Sequence, residues 1–536
     1  METVNLDPRS MLGPGAIVAI AIAALGLVGL TTFLTAAKDP QEPPFLPSTI
    51  PVIGHLIHMF REGADYYTKL YQEHHQGLFT IPVFRGRLYI VGSPEWAIAF
   101  NKAHKTLSFN EPVVKALKKI FMFDERTSKI VEENMNDEKG DRSGVMLAIH
   151  DMLFSTLRSG SGLDELSQNF LDELAPRFQT FARNGDAEQV KLWSLIRQHF
   201  SLASLAAIYG RDNPFALNPA LLADFWEFEA NISTLYTTPY PSIFAPKVFS
   251  ARRRLFDSMI EYAKKRQYEQ ASILAQNRAR INLSHGFSTE FHGIAEVGMM
   301  HAVLANTAPS AFWLLSYVFA DPQLLAEVRE EVDQCVSVGT SNKCTINITK
   351  LKAECPLFFS VMREVLRMVA SVNINRMVME DTPLTNHRTG ETYVLKKGNM
   401  VQVASTMIHG MSEVYGVDVA TFNPRRFIST TEKTADPAAA FRDANGKIIA
   451  GSFRTFGGGN NVCPGRHFAQ TEMQALAALF VAGFEIESAD GGQYVPPQFL
   501  NMKMPVAQSV IKPATDVDVN VRRRAGYEAT EWEFEM

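Results

Sequence analysis

Residues 453–470 read FRTFGGGNNVCPGRHFAQ, and Cys463 within them is the side chain best suited to metal chemistry. Gly457, Gly458 and Gly459 precede it and Gly465 follows. Glycine-rich backbone reaches positive φ and lets a bulky, flat ligand approach closely. The amide N–H groups of such a loop can point at a sulfur. The run RHFAQTEMQALAALFVAGF predicts a helix just beyond the cysteine. The positive end of that helix predicts a lowered thiol pKa. Alone, the loop is weak evidence, because structural cysteines are common.

Two helical runs carry further candidates. In FFSVMREVLRMVA, Glu364 and Arg367 stand three residues apart and share a helix face. A surface helix can hold such a pair without any function. Residues 293–320, GIAEVGMMHAVLANTAPSAFWLLSYVFA, are nearly charge-free and apolar all round, which predicts a buried central helix. His301, Asn306, Thr307 and Pro309 interrupt it. Polar groups inside a buried helix need partners or a cavity. Thr307 could deliver protons to a bound oxygen species, or could simply bond its own helix. Pro309 removes an intrahelical bond and is expected to kink the axis.

The string Phe456-x-x-Gly459-x-x-x-Cys463-x-Gly465-x-x-x-Ala469 resembles the haem-binding loop of the cytochrome P-450 family. The resemblance implies haem b, with Cys463 as the axial thiolate, Phe456 beside it, and Gly459 and Gly465 shaping the loop. It implies that Glu364 and Arg367 form the family's buried pair, completed by Arg426 of FNPRRF. It implies that Arg376, in NINRMV, pairs with a haem propionate; Arg454 is a weaker candidate. Two departures stand out. Asn306 takes the place of the usual acid before Thr307. Neutral Asn461 stands two residues before the cysteine, where many members carry Arg or His. The family's Trp-x-x-x-Arg is not evident near residues 120–160. The string NTAPSAFW is similar to the branch of sterol 7α- and 12α-hydroxylases and prostacyclin synthase. Retention of Thr307 favours monooxygenation within it, and the cysteine loop also looks like filamentous-fungal members.

The elements that must position these residues are mostly helical. Helical spacing appears in 166–182 and 249–276, and short strands are expected at 77–84, 87–92, 392–403, around FEIES and around SVIKP. The fold class expected is mainly α with a small β-rich subdomain, the P-450 fold behind an N-terminal transmembrane helix. Residues 1–38 are assigned to an anchor, its span about 16–34; 39–55 to a proline-rich hinge; and 56–536 to the catalytic domain. The run AIVAIAIAALGLVGLTTFL is uncharged and long enough to span a bilayer, though a cleaved signal peptide is its rival. Net charge is −5, which implies no nucleic-acid partner. Four cysteines exclude a disulfide scaffold, and the sequons at Asn231, Asn282 and Asn347 are expected to be unused.

What the resemblance implies is a monooxygenase of an apolar substrate, a steroid or terpenoid in fungal secondary metabolism. Thr307, with Asn306, would manage proton delivery. Electrons would come from an NADPH-cytochrome P-450 reductase, with cytochrome b5 as a further donor. The site would be the endoplasmic-reticulum membrane, single-pass, with the catalytic domain facing the cytosol. The alternative is a haem-thiolate isomerase or dehydratase working without a reductase. Family substrate-recognition positions would include Phe121, Phe123, Phe244, Phe312, Val372, Ile374 and Leu500. The apolar run TTPYPSIFAP (237–246) would dip into the membrane or form a capped loop.

Overall fold

The computed structural model describes residues 14–35, 39–47, 55–63, 65–83, 86–183, 186–340, 342–371, 373–429, 434–443, 445–501 and 509–536. Helices dominate, and the helix Thr289–Phe319, 31 residues long, runs through their middle. The Ser288 side chain caps its start by accepting from the Phe291 amide. It ends at Ala320, and the next helix starts at Pro322 behind an Asp321 cap. By length and composition the helix could cross a membrane, but most of its apolar stretch is buried inside the protein. Pro309 sits within it, so the Ala305 carbonyl lacks its usual i+4 amide donor. Around it pack the helices Leu192–Tyr209, Pro246–Lys264, Pro356–Val369 and Arg466–Gly483.

A five-stranded sheet lies to one side, in the order Leu78–Val83, Gly86–Val91, Met400–Ala404, Asn373–Val378, Leu107–Ser108. Its pairs are antiparallel except Gly86–Val91 with Met400–Ala404. Side chains alternate along Asn373–Val378, so Ile374, Arg376 and Val378 share the buried face. The expected strand 392–403 is two strands, Thr392–Leu395 and Met400–Ala404, separated by a turn with Gly398 at φ +81°. FEIES forms Phe484–Ser488 as expected. SVIKP forms no strand; Val510 and Pro513 make isolated bridges to Ala370 and Phe499. Part of the proline-rich segment is docked on the sheet: the Leu46 amide donates to the Thr80 carbonyl at 2.9 Å, and Glu42 meets both Arg87 and Tyr89. Residues 48–54 of that segment lie outside the described residues. Asn282 is buried and its amide meets His292, which leaves no room for a glycan there.

Candidate haem-thiolate site

Cys463 lies at the end of a tight loop. Gly457 and Gly459 have φ of +77° and +63°, the left-handed region that favours glycine. A Cβ on Gly459 would stand 2.9 Å from the Asn101 side chain, so this glycine also permits close packing on the helix Pro94–Lys102. The Cys463 amide donates to the Phe456 carbonyl at 2.8 Å and closes the loop. Gly465 differs. Its φ is −78°, and a Cβ there would meet only the Cys463 Sγ, at 3.8 Å. Open space beside the sulfur, rather than protein packing, surrounds this position.

The expected lowering of the thiol pKa is not what the structure gives. Burial pushes the Cys463 thiol up. The amides of Gly465 and Arg466 and the Arg466 charge pull the other way and are outweighed. The helix-end argument identified the right donors but omitted the desolvation of a buried sulfur. Ligation by a metal would take the proton off such a thiol outright.

Arg376 and Arg454 are nearly wholly buried, and neither forms an ion pair with a carboxylate among the described residues. Arg376 donates to the Phe100 carbonyl at 3.0 Å and to Asn461 Oδ1 at 2.8 Å. Arg454 has a weak contact with Asn101 Oδ1 at 3.4 Å. The Nε of each has no partner. Burial, and for Arg376 also the neighbouring Arg454 charge, pulls both guanidinium pKa values down to about 10. Two buried cations side by side without anions are costly. A ligand bearing two carboxylates would supply the missing charge. Neutral Asn461 fits this arrangement, since it accepts from Arg376 where a cation would repel it. His150, in the helix Val145–Leu157, also reaches the loop, with Nε2 3.2 Å from the Asn460 carbonyl. The sequence singled out nothing in that helix; the one polar pair His150-Asp151 in an otherwise mostly apolar run was the available signal.

Glu364, Arg367 and Arg426 come together. Arg367 makes two bonds to the Glu364 carboxylate, both 2.8 Å, and Arg426 Nε donates to it at 2.9 Å. All three are buried. The cluster reaches the cysteine loop through His409, which the sequence did not single out. Arg367 Nη1 donates to the His409 carbonyl at 2.8 Å, and His409 Nε2 accepts the Arg454 amide at 3.0 Å.

On the central helix, Ala302 is exposed and Gly298, Met299, Val303 and Asn306 are half-exposed. An accessible stripe on an otherwise buried helix marks the wall of an internal cavity. Thr307 is nearly buried beside this stripe, and among the described residues its hydroxyl forms no hydrogen bond. Ser310, by contrast, bonds back to the Asn306 carbonyl at 2.8 Å. The Asn306 Oδ1 accepts the Ser509 amide at 3.2 Å, which ties the helix to the C-terminal segment. Phe121, Phe123, Phe312 and Ile374 are buried, and Phe121 meets the helix at Gly298. Leu500 is exposed, and Phe244 is 67% exposed. Val372 lies outside the described residues.

The thiol, the open space beside its sulfur, the buried guanidinium pair and the accessible helix stripe together fit a large, flat, dianionic metal ligand. Comparison with known proteins agrees. The Cytochrome P450 family model matches residues 242–512. A "Cytochrome P450 monooxygenase" of Gibberella zeae is 28% identical, covering 96% of this chain and 95% of that protein. "Cytochrome P450 monooxygenase nodJ" of Hypoxylon pulicicidum is 27% identical, covering 97% of each. Human 7-alpha-hydroxycholest-4-en-3-one 12-alpha-hydroxylase is 24% identical over 90% of this chain and 93% of its own. Among solved structures, retinoic acid-bound cyanobacterial CYP120A1 shares the fold at 18% identity, with a TM-score of 0.65 over 91% of this chain and all of that one. With half of its length matched by the family model, this chain belongs to the cytochrome P450 family and is a P450 monooxygenase.

Proposed function

We propose that Cys463 would hold the iron of haem b through its thiolate, that Arg376 and Arg454 would take the propionates, and that the reaction hydroxylates or otherwise oxidises an apolar substrate of steroid or terpenoid class. The bound haem supplies reductive activation of dioxygen and insertion of one oxygen atom. Phe456 and Gly459 hold the loop shape, and Gly465 leaves the sulfur side clear. Glu364, Arg367 and Arg426 fix the loop from behind through His409. Thr307 passes protons from its hydroxyl into the cavity, while Asn306 holds the helix to the C-terminal segment. The observation that carries this reading is the buried, uncompensated Arg376–Arg454 pair beside the Cys463 loop.

The substrate class rests on the aromatic cavity surroundings and on relatives that include sterol 12α-hydroxylases. Fungal relatives favour a role in secondary metabolism. Monooxygenases of this family generally need a reductase, and an NADPH-dependent one, with or without cytochrome b5, is proposed here. The endoplasmic-reticulum membrane is the proposed location, single-pass, with the catalytic domain in the cytosol. Support for the anchor comes from the helix Pro14–Thr35, 22 residues and about 33 Å long, whose residues Val18–Leu27 are exposed and apolar. Exposed Tyr240, Ile243 and Phe244 in the segment 237–246 offer a second membrane contact.

Turnover of a steroid and terpenoid panel by the full chain with a P450 reductase tests the reading. Products one oxygen atom heavier, formed only with NADPH, are expected. Product formed without NADPH would instead establish the isomerase or dehydratase alternative.

A further inference from the structure

His150 bridges two groups that can only accept hydrogen bonds. It stands on the helix Val145–Leu157 with 37% of its side chain exposed, so its protons exchange with solvent. Its Nδ1 lies 3.0 Å from Asp151 Oδ1, and its Nε2 lies 3.2 Å from the Asn460 carbonyl oxygen. Arg142 grips the same carboxylate, donating from Nε at 2.9 Å and from Nη2 at 2.6 Å. That guanidinium, with a smaller pull from His150, holds the Asp151 carboxyl below its usual range, so it is ionised and accepts only. The His150 ring leans on Phe154, with centroids 4.5 Å apart. Among the described residues, Arg142, Asp151 and His150 form ion pairs only with one another. The cysteine loop brings a neutral carbonyl to the ring.

A neutral imidazole carries one N–H and one bare nitrogen. With a carboxylate on one side and a carbonyl on the other, both nitrogens must donate, so this arrangement calls for imidazolium. When one proton leaves, the other stays on Nδ1, facing the Asp151 charge. The bare Nε2 lone pair then opposes the Asn460 carbonyl. That carbonyl belongs to the turn Gly459–Asn461, three residues before Cys463. The next residue, Asn461, accepts from buried Arg376 at 2.8 Å, so the peptide that His150 holds is the one that sets Asn461. We propose that His150 is a positioning residue of the cysteine loop: its imidazolium, oriented by Asp151 and Arg142, fixes the Asn460 peptide, and loss of one proton releases it. This rests on the haem-site reading above and adds a pH control to it. The hold is complete at acidic pH and is lost as pH rises.

The test is the rate of haem transfer from the full-length haem-loaded protein to an apo-globin acceptor, measured from about pH 5.5 to about pH 8.5. Across that range the wild-type rate should rise about fivefold more than that of His150→Gln, which keeps a donor for Asn460 but does not titrate. His150→Leu should already be fast at the acidic end. Asp151→Asn gives the sharpest reading. Its amide can donate to Nδ1 and leave a neutral ring donating from Nε2, so transfer should stay slow at both ends. The reduced carbon-monoxide band reports that each variant is folded. A wild-type profile parallel to that of His150→Gln, or a pH step that survives in Asp151→Asn, overturns the proposal. Hydrogen exchange of the amides of 459–463, compared between wild type and His150→Gln at each pH, reads the same hold without haem. An exchange step in a chain that binds no haem through a thiolate sinks the haem-site reading alone. A thiolate band with no step in either measurement sinks the His150 role alone.

Discussion

The two faces of the central cavity are built differently. Behind the cysteine loop, charges are held in a connected network running from Glu364, Arg367 and Arg426 through His409 to Arg454. Among the described residues, the buried Arg376 and Arg454 guanidiniums there pair with no carboxylate. Across the central helix, the surroundings are aromatic, and among the described residues the Thr307 hydroxyl forms no hydrogen bond. The first face calls for anionic groups to meet its buried cations. The second leaves choices open to whatever enters. That difference teaches how one fold can keep its chemistry while its substrate varies.

The largest break in this comparison should come from Glu364→Gln. Buried Arg367 would lose its one carboxylate partner among the described residues, Arg426 would keep only Asp418, and stability should fall by roughly 3–5 kcal/mol. Urea unfolding of the haem-loaded chain measures it; a change under about 1 kcal/mol would mean that the cluster is incidental. On the opposite face, Thr307→Val should leave stability nearly untouched. It should lower product formed per NADPH consumed by on the order of 10²-fold, with Thr307→Ser largely restored. Equal coupling in the valine variant would remove Thr307 from proton delivery.

Arg376→Leu should act on the first face alone. Haem retention should weaken by about 1.5–3 kcal/mol, as expected for a lost bond to a charged group, measured by transfer to an apo-globin acceptor. The smallest effect concerns pH. Burial and the Arg367 and Arg454 charges push His409 down to about 3 from its ordinary 6.5, and its Nε2 must stay deprotonated to accept the Arg454 amide. Between those values the unfolded chain binds more protons than the folded one, so stability rises with pH across that window. It should be lost as pH falls from about 6.5 toward 3, and His409→Gln should flatten that part of the profile. An unchanged slope in the variant would show that His409 does not carry it.

What the sequence revealed follows from what is local. Glu364 and Arg367 were legible because their spacing alone puts them on one helix face. The loop glycines were legible because positive φ leaves a compositional trace. The thiol was misjudged, since desolvation depends on tertiary packing that a loop sequence does not carry. The strand expected at SVIKP failed because that segment packs on the central helix, through Trp313, rather than within a sheet. His409 stayed hidden for a related reason. Its links to Arg367 and Arg454 join three distant segments, and no periodicity connects them.

The central claim is that Cys463 supplies the thiolate to the haem iron. The reduced, carbon-monoxide-bound Soret band of the full chain tests it most directly. The wild type should show the red-shifted thiolate band, and Cys463→Ala should lose it, while Cys335→Ala and Cys355→Ala, both remote from the loop, should keep it. A Cys463→Ala protein that still binds haem and retains the red-shifted band would contradict the assignment.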